Sequence, residues 1–167
     1  MLVEVIEVKT KKKDAMKYIL SKTPLMSRVA QFNKVAENVH IEYVEFKILS
    51  YEIISKEKKN KFFRYNKKKR KITMLVNTYN GYTQSIEIAP ITSKRYVSKS
   101  CIKRSKVKED DLIIEVKNQI VNFLTDSYKN LNVDKLSIHD IKITEIKSIY
   151  KPYWVADYNG KSILIDA

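Results

Sequence analysis

Glycine and proline are scarce in this chain, two and three residues among 167, against average usage of about 7% and 5%. Few positions can therefore take backbone conformations that ordinary side chains resist, and glycine-rich loops have no material to form from. Neither the phosphate-loop nor the dinucleotide glycine pattern occurs, since Gly81 and Gly160 stand alone. Histidine and cysteine are as rare. Cys101 has no partner for an internal disulfide, and together with His40 and His139 it makes too small a set for a closed zinc site without several carboxylates. His139 precedes Asp140, but sequence adjacency does not supply the geometry of an imidazole held toward a nucleophile, so both histidines read as solvated residues at strand entrances. The expectation is a chain with no catalytic residues, no metal, no cofactor and no evident small-molecule substrate. No run of about eighteen apolar residues is available to span a membrane, and no initial stretch has the form of a signal peptide. The expected home is a soluble, reducing, cytoplasmic one.

What the chain does hold is positive charge. Its net charge is +14, and residues 1–108 carry 26 Lys and Arg against 9 acids, while 109–167 carry 7 against 10. Only five of the 33 cations are Arg, so the charge sits mostly on lysine, which suits phosphate contact better than bidentate base reading. A Lys-, Ile-, Asn- and Tyr-rich composition is also what nucleotide bias produces. The 44% hydrophobic content supplies a real core, since a chain near this length buries about 70% of its unfolded surface.

The apolar pattern predicts an α+β fold of long strands and hairpins packed on amphipathic helices. Leu2 to Val8 reads as a strand. Ala15, Met16, Ile19 and Leu20 mark a helix, and Thr23-Pro24 starts a second with Leu25, Val29 and Phe32 at helical spacing. From Ile41 to about Ser55 the period falls toward two, with an irregularity near Val44 to Phe46 that a bulge would explain. Strands follow at 71–79 and 82–89, closed by Pro90, and Tyr96 to Lys103 offers another. Ser105 is placed to cap a helix carrying Glu109, Asp110 and Asp111 in its first turns and Ile113, Val116, Ile120, Phe123 and Leu124 on its apolar side. A strand from Leu136 to Ile149 leads into a terminal hairpin around Asn159-Gly160. Both Asn-Gly pairs, Asn80-Gly81 and Asn159-Gly160, fit a two-residue type I′ turn. The expected organisation is a basic half at 1–90, a basic crossover at 91–107 and a second half at 108–167.

The halves echo each other. Ile41, Glu45 and Lys47 match Ile141, Glu145 and Lys147 at an offset of 100, as an imperfect tandem repeat would. Helices followed by strands ending Leu164-Ile165-Asp166-Ala167 and Leu75-Val76-Asn77-Thr78-Tyr79-Asn80-Gly81 resemble PepSY-type domains, whose strand ends Val-Asp-Ala-x-Thr-Gly. Asn77 stands where that pattern has Asp, and the second copy stops before its glycine. The resemblance implies a small non-catalytic module, of a kind associated with peptidase inhibition or cell-envelope regulation, with a protein or peptide as its partner.

The segment with the sharpest functional signal is 56–71, where ten cations meet one acid. Lys58, Lys59, Lys61, Arg64, Lys67, Lys68, Lys69 and Arg70 are interleaved with Phe62, Phe63 and Tyr65. Lysines release counterions from phosphates, and exposed rings stack on unpaired bases. The expected partner is a polyanion, single-stranded nucleic acid above all, with Lys94, Arg95, Lys103 and Arg104 extending the footprint. An anionic membrane surface is the weaker candidate. A protein partner on a strand edge, or on the surface of Tyr150, Tyr153 and Trp154, is the alternative. The plain reading of such a run is a solvated hairpin whose edge lysines deter aggregation, and of Trp154 a core anchor.

Overall fold

A computed structural model describes residues 1–21, 39–59, 64–128, 137–158 and 161–167, with backbone alone at 55–59, 64–68, 126–128, 157–158 and 161. The described residues form an α+β fold with an open, mostly antiparallel sheet of eight strands and two helices. In chain order these are β1 (Leu2–Ile6), α1 (Lys12–Ser21), β2 (His40–Lys59), β3 (Arg64–Asn77), β4 (Thr83–Ile86), β5 (Thr92–Tyr96), β6 (Ile102–Lys103), α2 (Glu109–Tyr128), β7 (Ile141–Tyr158) and β8 (Lys161–Asp166). The chain divides into two compact units, Met1–Glu45 with Pro90–Arg104 and Ile149–Ala167, and Phe46–Ala89 with Ser105–Ser148. The expected halves are continuous in sequence, whereas these units are not, because β2 and β7 are long enough for each to give one end to each unit.

In the first unit β1 pairs antiparallel with β5 from Leu2↔Tyr96 to Ile6↔Thr92 and parallel with β7 at Val5↔Tyr150. β6 lies parallel to the start of β2, with Tyr43 opposite Ile102. The terminal hairpin is present, β7 and β8 pairing from Tyr153↔Asp166 to Tyr158↔Lys161; Asn159 and Gly160 lie outside the described residues. Alternation in β1 buries Val3 and Val5 with Val97, against Tyr43, Ile102 and Tyr150. Ala15 and Ile19, one turn apart, are the buried face of α1, and Ile19 packs with Val39, Ala156 and Trp154. Trp154 also donates its ring N–H to the Thr10 carbonyl at 2.8 Å, which makes it an anchor. The second expected helix, from Thr23-Pro24 through Val35 or Ala36, lies outside the described residues. The basic stretch 91–107 is more regular than a crossover: it carries β5, a 3-10 turn at Lys99–Cys101 and β6. Its main strand starts at Thr92, before the expected Tyr96, because the ladder with β1 runs from Thr92 to Tyr96.

In the second unit the strand order is β4-β3-β2-β7. The side chains joining β2 to β7 run in opposite directions along the chain, Lys47 Nζ to Ser148 Oγ at 3.2 Å and Thr144 Oγ1 to the Ser50 carbonyl at 3.1 Å. α2 lays Leu112, Val116, Ile120 and Leu124 on Leu49, Tyr51, Ile53, Val76 and Ile141. Its first turn holds Glu109, Asp110 and Asp111, whose charge suits the positive end of the helix dipole, and Glu109 forms an ion pair with Lys47 of β2.

Three local expectations need correction. Ser105 is not the helix cap: its hydroxyl donates to the Thr78 carbonyl at 3.0 Å and accepts from the Val107 N–H at 3.3 Å, while the Lys108 carbonyl takes the first helical bond, from Leu112. The ladder between β2 and β3 is uninterrupted from Phe46↔Asn77 to Lys59↔Arg64, and it begins where the Val44 to Phe46 irregularity ends. Along β2 burial changes face between Ile48 and Leu49, from Val44, Phe46 and Ile48 to Leu49, Tyr51 and Ile53. The first Asn-Gly turn is a four-residue connection closed by Asn77 N–H to Tyr82 O at 2.8 Å, with Gly81 N–H to Asn77 O at 2.8 Å inside it. Gly81 has φ +74, the left-handed value that glycine adopts without strain, and the Asn77 side chain accepts from the Tyr79 N–H. Finally, β4 stops at Ile86, since its ladder with β3 covers only Thr83–Ile86, and Ile88 is left exposed.

Candidate functional site

The basic segment 56–71 is built into the β2–β3 ladder. Apolar alternation sets the register at the inner end, where Leu49–Met74 and Tyr51–Ile72 face α2, and the ladder carries that register outward through Ile53–Arg70, Ile54–Lys69, Ser55–Lys68, Lys56–Lys67, Glu57–Asn66, Lys58–Tyr65 and Lys59–Arg64. Two of these pairs set like charges directly opposite each other, Lys56 against Lys67 and Lys59 against Arg64, an arrangement that destabilises a ladder. Lys61, Phe62 and Phe63 lie outside the described residues.

β4 meets β3 only over Thr73–Val76. β7 begins at Ile141, three residues before the Thr144 that bonds Ser50. On that register neither neighbour reaches the outer pairs, so among the described residues the hairpin is two-stranded from about Ser55–Lys68 to Lys59–Arg64.

At the sheet end of this ribbon Lys69, Arg70 and Lys71 are exposed. They line an open basin of about 310 Å³ together with Glu52 and Thr144. Lys69 Nζ holds Glu52 Oε1 at 2.9 Å, and the Thr144 hydroxyl is engaged with the Ser50 carbonyl.

The other expected contributors belong to the first unit. Lys94 and Arg95 are exposed on β5, Arg95 Nε donating to Ser93 Oγ at 3.2 Å. Lys103 is half-buried and ion-paired to Glu42 Oε2 at 3.2 Å, and Arg104 is exposed. The ladder brings together Lys58, Lys59, Arg64, Tyr65, Lys67, Lys68, Lys69 and Arg70 by backbone register; Lys94, Arg95, Lys103 and Arg104 belong to the other unit.

His40 opens β2 with Nε2 3.4 Å from Glu42 Oε1. His139 sits in the 3-10 turn before β7, where Asp140 accepts from the Ser137 N–H and hydroxyl at 2.9 and 2.8 Å. Asp140 thus closes a turn. Among the described residues no group of three His, Cys, Asp or Glu side chains is placed to hold a metal ion, and no helix is long and apolar enough to cross a membrane.

A feature that sequence reading missed is an apolar groove of about 300 Å³ beside α2, floored by Ile72 and Met74 and walled by Thr83, Ser85, Gln119 and Phe123. Thr83 Oγ1 donates to Gln119 Oε1 across it at 2.5 Å. Phe123 is 69% exposed, although it falls about 20° round the helix wheel from Leu112, inside the apolar arc. Its place on the stripe was legible; the width of sheet beneath it was not.

In β7, Pro152 is buried and its carbonyl accepts from the Ala167 N–H at 3.2 Å. Lys151 Nζ meets Asp166 Oδ2 at 2.8 Å and lies 5.1 Å from the Tyr153 ring centre. Burial pulls the Lys151 pKa down, but the Asp166 and Tyr153 interactions outweigh it and leave the ammonium above its ordinary value, while burial raises Tyr153.

No family model, curated protein or solved structure matches this chain.

Proposed function

We propose that the chain is a non-enzymatic binding module for a polyanion, with single-stranded nucleic acid as the ligand class and the β2–β3 ribbon as the contact. The observation that carries this reading is the continuous register from the apolar core to Lys59↔Arg64, which spaces the cations along an ordered two-stranded element. Residues two apart on a strand lie about 6.6 Å apart, so successive lysines of one face meet successive phosphates of an extended strand. Opposed pairs such as Lys56–Lys67 repel in the free protein, and a bound anion relieves that repulsion. Tyr65, with Phe62 and Phe63 near it in the chain, supplies rings for stacking on unpaired bases.

The test is binding to labelled oligothymidylate across a salt range. Removing four cations in K67S/K68S/K69S/R70S should make the slope of log K against log salt shallower by up to about 3, at roughly 0.7 for each cation that meets a phosphate of a single strand. F62A/F63A/Y65A should weaken binding about tenfold or more at unchanged slope, since each stacked ring contributes about 1–3 kcal/mol. Absence of salt-sensitive binding by the wild type overturns the reading. Binding to phosphatidylserine vesicles without oligonucleotide binding would reassign the ribbon to a membrane surface.

A second reading, a PepSY-like protein-interaction or inhibitory module, is favoured by the groove along α2 with Phe123 on its wall. The tandem echo belongs to this reading, with Ile41, Glu45 and Lys47 in β2 and Ile141, Glu145 and Lys147 in β7. Recovery of a defined protein partner by the wild type, lost in Phe123→Ser while oligonucleotide binding stays absent, would establish it.

A further inference from the structure

The pairs of the ribbon fall into two alternating sets, and side chains of one set share a face. One set, Leu49–Met74, Tyr51–Ile72 and Ile53–Arg70, lays its apolar members under α2 at its inner end. The other begins at Ser50–Thr73 and Glu52–Lys71, and its register continues through Ile54–Lys69 and Lys56–Lys67 to Lys58–Tyr65. From Glu52 outward that second set contains five lysines and a tyrosine against one acid. It also begins at the basin lined by Glu52, Lys69, Arg70, Lys71 and Thr144.

We propose that the basin seats one backbone phosphate of a bound nucleic-acid strand and that the strand leaves it along the set containing Lys69, Lys67, Lys58 and Tyr65. This rests on the reading of the ribbon as a nucleic-acid site. Lys69 and Lys71 of this set against Glu52 leave the basin with a surplus of positive charge, which a singly charged phosphodiester offsets. Its volume of about 310 Å³ holds a phosphate together with several waters, each taking about 30 Å³. The Thr144 hydroxyl already donates to the Ser50 carbonyl, so the donors to the phosphate are the ammonium groups of Lys69 and Lys71. Glu52 has two effects. It holds Lys69 over the basin at 2.9 Å in the free protein, and it competes with the phosphate for that same ammonium.

Competition of this kind gives the proposal a signature that loss of charge alone does not produce. Anisotropy titrations with a fluorescein-labelled oligothymidylate, about 20 nucleotides long to exceed the usual site sizes, are run over a salt series with the full chain. K69S/K71S should bind at least about tenfold more weakly, with a slope shallower by about 1.4. R64S/K68S, which removes the same charge from the other set, should lose less than about threefold. Glu52→Gln should bind about two- to fivefold more tightly, the size of an exposed ion pair released. Thermal unfolding of each variant checks that the fold persists. Equal losses in the two double variants, or unchanged or weaker binding by Glu52→Gln, overturn the basin while leaving ribbon binding in place. Absence of wild-type binding overturns the ribbon reading together with this one.

Discussion

Ile120→Ala should lower the free energy of unfolding by about 2–5 kcal/mol, whereas Phe123→Ala, three residues on, should cost less than about 1 kcal/mol. Both residues lie on the apolar arc of α2, and by sequence they are equivalent. Ile120 is 3% exposed and packs within the cluster of Leu49, Tyr51, Ile53 and Val76; Phe123 is 69% exposed at the groove wall. Truncating Ile120 leaves a cavity that helix and sheet close only in part, and the cost is the lost transfer energy plus that of the void. Truncating Phe123 removes atoms already largely in water. Denaturant titrations of the two variants decide it, provided the m-value is unchanged. Comparable losses would mean that the sheet covers the whole stripe and that no open groove exists beside α2.

The same pair shows how far sequence reasoning reached. Helical periodicity located α2, the acids near its start and the buried positions Val116, Ile120 and Leu124, though not its first residue, because a 3.6-residue stripe is a local signal. Which part of the stripe is covered depends on strands that end elsewhere, and no local signal reports that. The ladder of β2 with β3 was half legible. Alternation fixed the inner residues, but the lysine run from 56 to 71 masked the outer strand, since charge hides the period that apolar residues reveal. The backbone continues in register through it because the core pairs set the phase and each further pair adds ladder bonds. Asn80-Gly81 marked a turn correctly and its type wrongly. Gly81 takes the left-handed conformation, but the Asn77 carbonyl and side chain close a longer connection, and a dipeptide preference does not encode that competition. The basin at Glu52 and Lys69 was invisible for a related reason, as its residues come from three strands and meet only through register.

Tyr51→Phe should stabilise the protein, against the usual direction of core substitutions. Tyr51 is completely buried between α2 and the sheet, and its hydroxyl is a buried polar atom with no hydrogen-bond partner among the described residues. A buried, unsatisfied hydroxyl costs about 1–3 kcal/mol, and phenylalanine keeps the ring while removing it. The gain should appear as a rise in Tm of roughly 2–4 °C for each kcal/mol in a chain of this size. The same burial raises the Tyr51 pKa well above the ordinary tyrosine value, which predicts a pH dependence with a definite sign. The folded-state pKa lies above the unfolded one, so stability is unaffected while pH stays below the unfolded value near ~10. Above it the unfolded chain releases a proton that the folded chain retains, and stability falls by up to about 1.4 kcal/mol per pH unit. Unfolding free energies measured near pH ~8 and ~11 should therefore fall more steeply for the wild type than for Tyr51→Phe, by about 1 kcal/mol over that interval. Parallel alkaline limbs, or a Tyr51→Phe variant less stable at neutral pH, would show that the hydroxyl has a partner in solution and that the core beneath α2 is wetter than its apolar lining implies.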